Sequence, residues 1–172
     1  MMMRDFLAEP FYTENDRVIL RPLMAADHAA LRDLFDYPLD EGRSREMARQ
    51  LIQAIDNGTL VLAVRDKKEQ IFRGILEVKV KSPRSLEIGY RIKKPYRHCR
   101  YASEALRLFR QTAFAEYGIE EIRARVKKDN EYSRRLLQHS GFIKTGGNGD
   151  MEEYVCLMEQ AAAGNRNQEE LK

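Results

Sequence analysis

Apolar residues recur along this chain with two different periods, and the switches between them divide it into elements. RVILR, Arg17 to Arg21, is a short strand stopped by Pro22. From Met24 to Phe35, Ala30, Leu31, Leu34 and Phe35 fall on one side of a helix. A second helix is predicted with Ser44 as N-cap. Its apolar face is Met47, Ala48, Leu51, Ile52 and Ile55, and Asn57-Gly58 ends it. Three strands follow. Leu60 to Val64 is continuously apolar and reads as buried. In Phe72 to Val80, the residues Phe72, Gly74, Leu76, Val78 and Val80 share a face. In the third strand Leu86, Ile88, Tyr90 and Ile92 point one way, and Glu87, Gly89 and Arg91 the other.

The helical period then returns. Ala102, Ala105, Leu106, Phe109, Ala113 and Tyr117 make a core stripe, with Gly118 at its C-terminal end. Ile122, Ala124 and Val126 alternate with Arg123, Arg125 and Lys127 in the next strand. A short helix with Asn130 as N-cap places Leu136 and Leu137 inward and stops at Gly141. Phe142 to Lys144 and Glu153 to Met158 are the last two strands.

The order is β-α-α-β-β-β-α-β-α-β-β. Short charged turns between three successive strands predict an antiparallel meander. The strand–helix–strand unit after it predicts a right-handed parallel crossover. The fold class is α/β of mixed α+β type: a mostly antiparallel sheet with one parallel pair and helices on both faces. At 172 residues, without an internal repeat, one domain over 17–158 is expected, with a lead over 1–16 and a polar tail over 159–172.

Composition narrows the class of function. With 43% hydrophobic and 33% charged residues the chain reads as an ordinary soluble protein rather than a disordered one. A net charge of +3 is too small to suggest nucleic acid, but it suits a locally basic pocket for an anionic ligand. Two isolated cysteines, Cys99 and Cys156, make neither a disulfide framework nor a zinc motif. His28, His98 and His139 lack metal-site spacing, so no metal is expected. MMMRDFLAEP lacks a signal-peptide core and no apolar run approaches ~20 residues, so a cytoplasmic protein without a membrane span is expected.

Chemistry concentrates in KPYRHCRYASEALRLFRQ, a basic segment running into an amphipathic helix as phosphate-binding loops do, but without glycine. Three stretches together resemble the GNAT superfamily of N-acetyltransferases, in the branch that includes ribosomal-protein N-terminal acetyltransferases (RimJ/RimL-like). They are RVILRPLMAADHAALRDLF, LEIGYRIKKPYRHCRYASEAL and KKDNEYSRRLLQHSGFIKTG, and the likeness spans Arg17 to Met158. It implies a splayed sheet with acetyl-CoA as co-substrate, held in the V between the strands Ser85 to Ile92 and Glu121 to Lys127. The implied contacts are Arg91, Ile92, Arg97, His98, Cys99, Arg100, Tyr101, Ala102 and Asn130. The family pattern in the loop is Arg/Gln-x-x-Gly-x-Gly/Ala. Arg97 and Ala102 match it, Arg100 replaces the central glycine, and His98 stands where another glycine is frequent. Glycine at position 100 would give a conformation that other residues resist. Arginine there offers a guanidinium instead.

Acyl transfer to an amine needs a base, a polarised carbonyl and a proton for the departing thiolate. Glu87 is the first choice of base, with Glu77 as runner-up. Ser133 occupies the serine of the Asn-Glu-x-Ser pattern and is the candidate acid, or else a first-turn serine bonding local backbone; Tyr132 is its substitute. Asn130 can cap its helix and touch cofactor at once. The implied activity is acetyl transfer to a primary amine, on a protein N-terminus, a lysine or a small molecule, through direct attack in a ternary complex, by a monomer or homodimer. The altered loop motivates a second expectation, a GNAT-like binding or regulatory module with weak or no acetyl-CoA binding. Nucleic-acid binding through Arg123, Arg125, Lys127 and Lys128 is a third reading, against which a solvated strand face is the simpler one.

Overall fold

The computed structural model describes residues 5–158. Eight strands form one sheet: β1 Thr13–Glu14, β2 Val18–Pro22, β3 Thr59–Asp66, β4 Phe72–Ser82, β5 Ser85–Ile92, β6 Glu121–Lys127, β7 Ile143–Asn148 and β8 Met151–Leu157. Their order across the sheet is β1-β2-β3-β4-β5-β6-β8-β7. Every neighbouring pair is antiparallel except β5 and β6, which are joined by α2, Tyr101–Glu116. The remaining α-helices are α1, Glu41–Gln53, and α3, Glu131–His139. No helix among the described residues is long and apolar enough to cross a membrane.

Two apolar layers enclose the sheet. α2 and α3 cover one face, where Leu106, Phe109, Leu137 and Tyr154 pack on Leu20, Leu62, Leu76 and Leu86. α1 and the 3-10 segment Ala25–Asp33 cover part of the other, over Val61, Ala63, Phe72 and Ile75. β3 therefore feeds both layers, which is why its sequence is apolar throughout rather than alternating. The lead expected over 1–16 joins this packing from residue 5 onward. Phe6 and Phe11 are buried against Phe109 and Tyr117, and β1 pairs with β2. The tail over 159–172 lies outside the described residues.

Five local readings change. The first predicted α-helix is 3-10. Its start is tied to β2 by Asp27, which accepts the Met24 N–H at 2.8 Å and two bonds from the Arg21 guanidinium. Asp40, not Ser44, caps α1, accepting the Arg43 N–H at 2.8 Å. Ser44 lies buried inside the helix and donates back to the Glu41 carbonyl. α1 also stops at Gln53, so Ile55 belongs to a following 3-10 turn and is exposed. Phe72 leaves the face of Leu76 and Val78, because a bulge in β4 skips Arg73 between the pairs Val64–Gly74 and Arg65–Phe72. Finally, β7 runs on through Gly146, Gly147 and Asn148, well past the predicted Lys144.

Candidate active site

The parallel pair is short. β5 and β6 share three rungs, Ser85–Glu121, Leu86–Ile122 and Glu87–Arg123, and then part. β5 continues on β4 to Ile92–Gly74, and β6 on β8 to Lys127–Met151. Beyond Glu87 the facing edges of the two strands are unpaired with each other. A cavity of about 520 Å³ occupies this gap. β5 contributes Tyr90, Arg91 and Ile92 to its wall, and β6 contributes Lys127. The loop before α2 contributes Tyr96, Arg97 and His98, the start of α2 Tyr101 and Ala102, and the start of α3 Asn130, Tyr132 and Ser133. Asp36 closes one side, near both Arg91 (4.0 Å) and Arg97 (3.8 Å).

The loop keeps a glycine-type backbone without glycine. His98 has φ 61° and Arg100 φ 67°, both left-handed, at the two positions where the family pattern favours glycine. Such a conformation costs a residue with a side chain about 1–3 kcal/mol and persists only where the surroundings impose it. Arg100 is the N-cap residue of α2, and no side chain caps that helix. The first-turn N–H groups thus stay free of the helix's own carbonyls, the arrangement that suits an anion. Cys99 and Arg100 are exposed and are not among the residues lining the cavity. Arg97 ties the loop to β5 by donating from Nε to the Ile92 carbonyl at 3.0 Å. Across the opening, the His98 ring meets that of Tyr132 edge-on at 4.4 Å.

Asn130 caps α3, its Oδ1 accepting the Ser133 N–H at 3.1 Å. The Ser133 hydroxyl itself stands in the cavity wall. Beside it is Tyr90, whose buried hydroxyl has no partner in bonding geometry. Burial pushes that phenol up to about 12, with Ser133 pulling the other way. An unpaired hydroxyl in a polar cleft is a place for a ligand's amide or carbonyl. The alternation in sequence places Tyr90 in the apolar stripe of β5. Only the parting of the strands turns that stripe into a cavity wall, and no local signal marks it. Asp36, far from the loop in sequence, likewise carries no local mark of its place in the cavity wall.

Glu87 lies apart from this group. It sits on the last shared rung, in a second cleft with Lys81, Ser85, Glu121, Arg123 and Glu153, ion-paired to Arg125 (3.4 Å) and Lys81 (3.9 Å). Glu77 is exposed on β4 and lines neither cleft. The basic face of β6 is largely neutralised. Arg123 pairs with Glu121 and Glu153, and Arg125 with Glu87, so it offers little to a phosphate backbone.

α3, which carries Asn130 and Ser133, is moored by Glu152. This carboxylate, 4% exposed, accepts from Lys144 (3.0 Å), Tyr154 (2.8 Å) and Arg134 (2.8 Å). Lys144, then Tyr154 and Arg134, hold it at about 2, below the ordinary 4.5. Its folded pKa is depressed, so its stabilisation is complete above about 4.5 and is lost as pH falls toward about 2. Glu152→Gln is expected to flatten that acid limb, checked by urea midpoints at neutral pH and near ~pH 3.

The class follows from comparison as well as geometry. The acetyltransferase (GNAT) domain family matches residues 17–143, and the chain belongs to that family. Among its relatives is the uncharacterized N-acetyltransferase YoaA of Bacillus subtilis (strain 168), 31% identical over 147 residues, covering 77% of this chain and 83% of YoaA. The fold is shared with a GNAT-family acetyltransferase from Bacillus anthracis (TM-score 0.75, 22% identity, 87% of this chain and 99% of that one). It is shared too with RimL, a ribosomal L7/L12 alpha-N-protein acetyltransferase (TM-score 0.74, 15% identity, 92% and 100%). Family members use acetyl-CoA, and the residues here fit it: an unpaired strand edge for amides, an uncapped helix start for phosphate, and a free buried hydroxyl between them.

Proposed function

We propose that this protein transfers the acetyl group of acetyl-CoA to a primary amine by direct attack in a ternary complex. The observation that carries the reading is the gap between β5 and β6, bordered by the glycine-type loop and by Ser133. Acetyl-CoA supplies the acyl thioester. The open edges of β5 and β6 bind its amides as an added strand would. The loop from Arg97 to Ala102 and the first turn of α2 take the pyrophosphate through backbone N–H groups, aided by the Arg100 guanidinium. Asn130 fixes the start of α3 at the cleft while its side chain caps the helix.

Glu87, set in the neighbouring cleft rather than in the cavity wall, takes the proton of the incoming ammonium through water, from the side of the sheet opposite α2. A backbone N–H at Arg91 or Ile92 polarises the carbonyl. As the C–N bond forms and the C–S bond breaks, Ser133 gives its proton to the thiolate and recovers one from the nitrogen of the new amide. No covalent acyl-enzyme is invoked, because Cys99 is outside the cavity wall and no other nucleophile is activated in it. The acceptor is a protein N-terminus, a lysine or a small-molecule amine, reached past Glu87. N-terminal peptides and polyamines are tried alike, since the fold is shared with acetyltransferases named for each. No observation favours a purely binding role.

Isothermal titration of the unmodified protein with acetyl-CoA and CoA is expected to give a micromolar Kd, followed by thiol release on adding amine. Binding absent in the unmodified protein and gained by Arg100→Gly would overturn the enzymatic reading.

A further inference from the structure

Two left-handed residues flank Cys99 in a loop with no glycine, so something outside the loop must impose its shape. The structure shows what surrounds it. The Arg17 guanidinium donates to the Cys99 carbonyl, the group midway between His98 and Arg100. The same guanidinium lies 4.7 Å over the ring of Tyr101, the residue that follows Arg100. Tyr101 in turn donates its hydroxyl to Asp66 Oδ2 at 2.8 Å. Behind it is Arg73, 3% exposed, stacked 3.9 Å from the Tyr96 ring and 5.1 Å from the Tyr101 ring, so that one cation brackets both ends of the loop. Arg73 is held by Glu69 (2.6 Å), and its own carbonyl accepts the Lys93 N–H at 2.8 Å.

These anchors come from separate places in the chain. Arg17 precedes β2, Asp66 ends β3 and Arg73 is the bulged residue of β4. None of the three lines the cavity. A buried arginine with one N–H unsatisfied is a costly thing to keep in a core, and here its flat face is applied to the two tyrosines of the loop.

We propose that Arg17, Asp66, Arg73 and Tyr101 form a tertiary clamp that holds the glycine-free loop in its cofactor-binding conformation, replacing the backbone freedom that glycine supplies. The proposal rests on the acetyl-CoA reading of the cleft. Arg17, Asp66 and Arg73 are positioning residues: they act on the cofactor only through the loop.

The test is a double-mutant cycle. Arg17→Met is made in the natural loop and in a loop carrying His98→Gly and Arg100→Gly, with Tyr101→Phe as a milder clamp variant should Arg17→Met fold poorly. In the natural loop the clamp variant is expected to raise the acetyl-CoA Kd and KM about tenfold, with kcat changed much less. In the glycine loop the same change should cost under about threefold, because glycine reaches positive φ unaided. A merely structural contact would give equal losses in both loops, and that result would overturn the clamp. The ligand-free Tm supplies a second arm. The glycine pair should raise Tm when Arg17 is present and lose that gain in the Arg17→Met background. Additive Tm changes would also sink the proposal. If no variant binds acetyl-CoA, the cofactor reading fails, and the Tm cycle alone still decides the clamp.

Discussion

Gly74→Ala is expected to destabilise the protein by about 3 kcal/mol and to abolish acetyl-CoA binding at temperatures where the chain stays folded. Gly74 lies opposite Ile92 in the β4–β5 ladder, at the open end of the gap. A Cβ there would overlap the Arg91 carbonyl oxygen and come within 2.9 Å of the Ile92 Cα and Cδ1. Two of those three contacts are backbone, so no side-chain rotation relieves them. β5 must move away from β4, and it carries Arg91 and Ile92 with it. The Ile92 carbonyl is also the acceptor that ties Arg97 and the loop to the strand. One methyl group thus acts on the strand edge and on the loop together. Urea unfolding and acetyl-CoA titration of the variant check both effects. Gly89, two residues before Arg91, has open space around its Cβ position and serves as the control: Gly89→Ala should leave cofactor binding nearly unchanged.

Ser133→Ala is expected to lower kcat by about 10²-fold with little change in the acetyl-CoA KM. The structural part of Ser133 is its N–H, capped by Asn130, and alanine keeps that bond. What the substitution removes is the hydroxyl in the cavity wall beside Tyr90. A loss confined to kcat, read by thiol release at saturating amine, assigns the hydroxyl to the transition state. An unchanged kcat would return Ser133 to the role of a helix-start residue and pass the proton-donor role to Tyr132.

Sequence and structure agree where the signal is local. The crossover around α2, the alternation in β5 and β6, and the Asn130 cap all depend on residues a few positions apart, and all stand where the pattern placed them. Disagreement arises where another side chain or a neighbouring strand intervenes. Asp40 displaces Ser44 as a cap because an earlier side chain reaches the free N–H first. Phe72 changes face because β3 and β4 slip by one residue at Arg73. Ala25–Asp33 winds as 3-10, tied to β2 through Asp27 and Arg21.

The loop shows the same division most sharply. From residues 97 to 102 alone, Arg100 and His98 oppose the backbone that a phosphate cradle needs, and the chain could be read either as an enzyme or as a module that has lost its cofactor. By itself the sequence determined the order of elements, the parallel pair and the stretch that carries the chemistry, because periodicity, caps and turns are encoded by neighbours. The tertiary structure decided that Tyr90 and Asp36 line a cleft, that Glu87 faces a different one, and that positions 98 and 100 are left-handed. Those outcomes depend on where β5 and β6 part and on contacts from Arg17, Asp66 and Arg73, and such long-range contacts leave no period in the sequence.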